Sequence, residues 1–148
     1  MEMQEIKQTL LIDATKEKVW NVLTKDELNR QWYAEFSEGT YADTDWKVGS
    51  KAIFTDGSQS GLIAKILVNE PNKALILEYT GELKDGVEDY DSESAQKLKG
   101  GKETYQIFEK DGKTQLDITG DMDPEFYAMM SEAWDKAVVK IKELAEKD

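Results

Sequence analysis

The chain has 148 residues and contains neither histidine nor cysteine. Ser–His nucleophiles, thiolate chemistry, disulfides and the common zinc ligand sets therefore lose the side chains they need. Acid–base work would fall to Asp, Glu, Lys or Tyr. Asp121 and Asp123 are the carboxylates nearest a conceivable cleft, but the first suits a turn and the second a helix N-cap. Tyr105 and Glu78 are the acid–base pairing on offer, and strand alternation puts them on opposite faces. No catalytic residue is assigned, and no enzyme activity, cofactor or metal is expected.

What remains is aromatic and aliphatic. Trp32, Phe54, Tyr79, Tyr105, Phe126 and Trp134 fall at positions that the patterning turns inward. With Leu77, Ile107, Leu116 and Met130 they form the expected lining of a site for a small hydrophobic or aromatic molecule. Tyrosine and tryptophan carry a polar tip that must find a partner when buried, which suits a pocket with a few polar handles. An empty cavity is costly: at about 24 cal/mol per Å³, a few hundred Å³ forfeits several kcal/mol, so a chain that keeps one uses it. Against this stands ordinary packing, since an aromatic stripe usually fills a core.

The element that must position these residues is the C-terminal stretch Asp123 to Lys147. Asp123 is a good N-cap, and Pro124 occupies the first helical position, where its missing N–H is not needed. Phe126, Met130, Ala133, Trp134, Ala137, Val138, Ile141, Leu144 and Ala145 recur at three- and four-residue steps along one face. Such a helix is roughly 36 Å long at 1.5 Å per residue, and it must lie on something apolar.

Strands supply that surface. Glu5 to Ile12 alternates and reads as the first strand. Two short helices follow, one capped by Thr15 with Val19, Trp20, Val22 and Leu23 on its apolar face, the other opened by Asp26 and carrying Leu28, Trp32 and Tyr33. A β-meander is then expected over Thr40–Asp45, Ser50–Thr55, Gly61–Asn69, Ala74–Gly81, Lys102–Lys110 and Lys113–Thr119. Asp56-Gly57, Glu70-Pro71-Asn72 and Asp111-Gly112 punctuate it, the last being a strong hairpin signal. Leu75, Leu77 and Tyr79 share one face, as do Tyr105 with Ile107 and Leu116 with Ile118, whereas in Gly61–Asn69 both faces are mixed and no inward side is assigned. The acidic stretch Lys84 to Gly101 breaks the pattern and reads as a solvated loop; it lacks the ligand spacing of an EF-hand. The fold class is α+β: a curved antiparallel sheet wrapped around a long C-terminal helix, with two short helices after the first strand, in one domain spanning 1–148.

A net charge of −12 sets the outer field, which repels nucleic acid and anionic membrane surfaces. No apolar run reaches membrane-spanning length and no signal peptide is read at Met1, so a cytoplasmic protein without membrane insertion is expected.

The order of these elements resembles the helix-grip fold of the START-like (SRPBCC) superfamily. The likeness is carried by Val19-Trp20-x-x-Leu23-Thr24 with Leu28-x-x-Gln31-Trp32-Tyr33, by Val48-Gly49-Ser50, and by Gly61-Leu62-Ile63 with Glu70-Pro71. Tyr105-x-Ile107, Leu116-x-Ile118 and Trp134 followed by Ile141 and Leu144 complete it. Within that superfamily the chain most resembles homologues of the activator of heat-shock-protein-ninety ATPase, and the stretch Lys84 to Gly101 departs from their usual short connection. The resemblance implies a cavity between helix and sheet that holds a hydrophobic small molecule in many relatives, and it makes a chaperone a second expected partner. Because the sequence opens directly on its first strand, the separate N-terminal domain usual in the activators proper is not expected here.

Overall fold

Alternation and turn chemistry together build the sheet of the computed structural model, which describes residues 3–147. Its strands are β1 (Gln4–Ile12), β2 (Tyr41–Asp43), β3 (Lys51–Thr55), β4 (Gly61–Glu70), β5 (Ala74–Lys84), β6 (Val87–Asp89), β7 (Lys102–Lys110) and β8 (Lys113–Met122). The helices are α1 (Lys16–Thr24), α2 (Asp26–Tyr33), α3 (Glu93–Leu98) and α4 (Tyr127–Glu146), the last preceded by a 3₁₀ turn at Pro124–Phe126. All strand pairs are antiparallel, in the spatial order β1-β8-β7-β5-β4-β3-β2, with β6 paired to the far end of β5. α4 lies across this sheet and packs on β1, α1 and α2. This is the helix-grip fold.

Asp111 and Gly112 both take positive φ, 52° and 80°, as the two-residue hairpin between β7 and β8 requires. In β4–β5 the register slips twice, at Ile63/Ala64 and at Ile66/Val68. Each slip adds a residue on one strand, bends the sheet and exchanges the faces, which is why Gly61–Asn69 shows no single inward side. The core runs through Ile6, Leu10 and Ile12 of β1, Val19, Val22 and Leu23 of α1, Leu75 and Leu77 of β5, Leu116 and Ile118 of β8, and Ala137, Ile141 and Ala145 of α4.

Three expectations need correction. The acidic stretch is not a loop. Asp85 and Gly86, with φ of 51° and 77°, turn β5 back into β6, and α3 follows. The Ser92 hydroxyl caps α3 by accepting from the Ala95 amide at 3.2 Å, and Ala95 is buried. Ser92→Ala is expected to cost about 1 kcal/mol, read as a lower melting temperature and faster amide exchange over residues 93–98. The second correction concerns the final helix: Pro124–Phe126 forms a tighter 3₁₀ turn, so the stripe changes phase and Phe126 is 47% exposed. Third, strand ends move: β2 is only three residues long, and β5 and β8 run on to Lys84 and Met122. As expected, Asp26 lies in the first turn of α2, where it pairs with Arg30 at 2.8 Å, and Lys25 holds the cap position without a side-chain bond.

Candidate functional site

The site is assembled from helix ends and strand ends at one end of the grip. α2 terminates on two consecutive aromatics, Trp32 and Tyr33, whose rings meet edge to face at 4.5 Å. Trp32 is anchored by its indole N–H, which donates to the Val22 carbonyl of α1 at 2.9 Å. From α4, Trp134 stacks at a tilt against Trp32, 6.0 Å between centroids, and meets Phe36 edge-on at 4.9 Å. β7 adds Tyr105, 6.3 Å from both tryptophans, and β3 adds Phe54, 6.0 Å from Tyr33. Such pairs contribute about 0.5–1.5 kcal/mol each beyond the area they bury.

These rings do not close on one another completely. They leave a cavity of about 220 Å³, walled by Trp32, Tyr33, Phe36, Phe54, Tyr79, Tyr105 and Trp134, with Met130 and Leu62. Ser37, Thr40, Thr55, Asp56, Ser60 and Gly61 complete the lining, and Ser37 and Ser60 are exposed at its rim. The Asp56 carboxylate accepts from the Ser37 hydroxyl at 2.8 Å and the Ser58 amide at 2.9 Å. The Ser58 hydroxyl and amide, and then the Ser37 hydroxyl, hold its pKa at about 2, so the rim carries a fixed negative charge.

Inside stands one carboxyl, Glu103 of β7. Its two oxygens accept from the Tyr79 hydroxyl at 2.9 Å and the Tyr105 hydroxyl at 2.6 Å. Tyr79 is fixed by its backbone, whose N–H donates to Gly101 and whose carbonyl accepts from Gly100, at 2.8 and 2.9 Å. Glu103 as a residue is partly accessible, but its carboxyl sits deep enough for burial to raise its pKa against the opposing pull of the two tyrosine hydroxyls. Burial and the Glu103 charge push Tyr33, Tyr79 and Tyr105 well above 10, so all three remain neutral hydroxyls at physiological pH.

A pH dependence follows. The folded Glu103 carboxyl keeps its proton above the ordinary value of 4.5, so just above that pH the native state binds more protons than the unfolded chain. Stability from this group therefore falls as pH rises from 4.5 through the folded pKa. Glu103→Gln is expected to flatten that fall. Thermal melts across the interval should show the variant gaining on the wild type as the pH increases.

Six of the ten residues expected to line a site do line the cavity: Trp32, Phe54, Tyr79, Tyr105, Met130 and Trp134. Leu77, Ile107 and Leu116 have the inward parity but lie further along the strands in closed core, at 1%, 6% and 0% exposure. Phe126 is turned outward by the 3₁₀ turn. The carboxylate that meets Tyr105 is Glu103, not Glu78. Alternation extended two residues back from Tyr105 puts Glu103 on the same face, and that signal was present in the sequence. Tyr33, Phe36 and the rim residues come from a helix end and loops, where no period operates.

The family profile described as Activator of Hsp90 ATPase homolog 1-like protein matches residues 13–146. No curated protein sequence matches the chain. Among solved structures, the Aha1 dimer from Colwellia psychrerythraea superposes with a TM-score of 0.71 at 19% identity, over 97% of each chain. ChR145 from Cytophaga hutchinsonii gives 0.71 at 18% identity, over 99% of this chain and 97% of that one. CalU16 from Micromonospora echinospora gives 0.68 at 14% identity, over 97% of this chain and 76% of that one. At these identities the likeness establishes the fold.

Proposed function

The chain belongs to the Activator of Hsp90 ATPase homolog 1-like family, and from that premise we propose that it binds a small, largely apolar molecule in the cavity between α4 and the sheet, without transforming it. One observation carries the reading: the cavity is ringed by aromatic side chains and holds a single carboxyl, hydrogen-bonded by two tyrosines, at its inner wall. Apolar walls with a few convergent polar groups are the general make-up of a ligand site, in which desolvation supplies affinity and the polar group supplies orientation. At about 220 Å³ the cavity is smaller than the roughly 300–1,000 Å³ of drug-sized sites. A one-ring compound suits it better than a sterol or a long acyl chain.

Thermal melts with a panel of one-ring aromatics test the reading. A compound that binds only the folded state stabilises it by about 2.7 kcal/mol at a hundredfold excess over Kd, and at least one member should raise the melting temperature in a saturable way. Family membership favours a chaperone as the alternative partner. A flat panel, together with stimulation of a chaperone ATPase by the purified chain, would replace the small-molecule reading by that one.

A further inference from the structure

The cavity is electrostatically one-sided. Its lining contains two carboxyl groups, Glu103 inside and Asp56 at the rim, and no lysine or arginine. Among the described residues Glu103 has no ion-pair partner; the groups that reach it are the hydroxyls of Tyr79 and Tyr105. Two hydroxyl donors ease the burial of a carboxylate, but they do not cancel its charge, and a buried charge without a counter-charge is costly. Tyr33 also lines this space. Rings of Trp32, Trp134, Phe36 and Phe54 make up the rest of the wall, and an aromatic face attracts a cation through its quadrupole. An anionic ligand such as a carboxylate would meet two negative groups and no positive one.

Building on the binding role proposed above, we infer that the ligand class is the small organic ammonium ion, its apolar substituent among the aromatic rings and its charged nitrogen against Glu103. The cation supplies the counter-charge that the chain itself withholds. Asp56 at the rim and the net charge of −12 draw such a ligand toward the opening. Binding also ionises Glu103, so affinity for an ammonium ion rises with pH through the pKa of that carboxyl and then levels. The other titratable groups facing the cavity do not take part in this interval. Asp56 from the end of β3 is ionised throughout, and Tyr33 of α2, Tyr79 of β5 and Tyr105 of β7 stay protonated.

The test uses three probes that share one ring and differ in charge: benzylammonium, benzyl alcohol and benzoate, titrated calorimetrically into the full chain. Benzylammonium is expected to bind about tenfold or more tighter than benzyl alcohol, the scale of one charge-assisted hydrogen bond, with benzoate weakest. Its affinity should increase from pH 4.5 to 8 while that of benzyl alcohol stays flat. Glu103→Gln should collapse the preference for ammonium over alcohol, and the pH arm needs only the wild type. Equal binding of ammonium and alcohol at every pH would overturn the cation assignment and leave the cavity as a neutral site. Silence from all three probes would contradict both the assignment and the binding role on which it rests.

Discussion

Trp32→Ala is expected to lower the unfolding free energy by about 3–5 kcal/mol, the range for removing a large aromatic side chain from a core. Trp32 is 1% exposed and is the hub of the aromatic cluster, in contact with Tyr33, Tyr105 and Trp134. Its indole N–H also satisfies the Val22 carbonyl, tying α2 to α1. Truncation leaves both an enlarged cavity and an acceptor without its donor, and the two costs add. For a chain of this size each kcal/mol moves the melting temperature by roughly 2–4 °C, so calorimetry should find a drop of about 10 °C. Trp32→Phe separates the parts by restoring most of the ring volume but not the hydrogen bond. A loss below 1 kcal/mol in the alanine variant would show that the cluster can collapse around the gap.

Gly61→Ala is expected to have the second largest effect, although it adds only a methyl group. A Cβ built at Gly61 would lie 2.1 Å from the Phe54 carbonyl oxygen and 3.1 Å from the Thr55 Cα. Both are backbone atoms of β3, paired across the hairpin with Gly61 and Leu62, so no side-chain rotation relieves the contact. The β3–β4 hairpin must open at this end, breaking the Thr55–Gly61 pairing and displacing Phe54 and Leu62 from the cavity wall. The expected cost is about 2–3 kcal/mol, toward the upper end for overpacking. Calorimetry would show it as a lower melting temperature, and ligand affinity would fall with it. Gly49, where a Cβ meets nothing within 4 Å, is not an unstrained control because its φ is +89°. Gly120, with open space and no such strain, serves that purpose.

Much of this architecture could be read from residue patterns because it rests on periodic burial. The three- and four-residue steps from Trp134 to Ala145 turned out to be the buried face of α4, and the parity of Leu75, Leu77, Ile107, Leu116 and Ile118 matched their burial. Periodicity reports which face is inward but not how far along a strand the packing stops. Leu77 and Tyr79 share a face, yet one is closed core and the other is cavity wall, and only the docking of α2 and α4 decides between them. Glu103 escapes the pattern for a different physical reason: a charged residue on an inward face contradicts the apolar expectation unless its partners are known, and of those partners Tyr105 is two residues along the same strand while Tyr79 reaches it only from the neighbouring strand β5. Composition alone makes Lys84 to Gly101 a loop and hides the Asp85-Gly86 hairpin and the Ser92 cap. Both are local signals of the kind that correctly marked Asp111-Gly112.

The most direct test of a ligand-binding cavity is an amide NMR titration of the full chain with benzylammonium. Saturable shifts confined to residues 32–40, 54–62, 79, 103–105 and 130–134, the segments that form the wall and rim, are the expected result. Shifts scattered over the acidic surface and abolished by salt would contradict it, because screening removes surface attraction but not an enclosed contact. Complete absence of shifts with benzylammonium and with benzyl alcohol alike would contradict it equally, leaving these rings as packing.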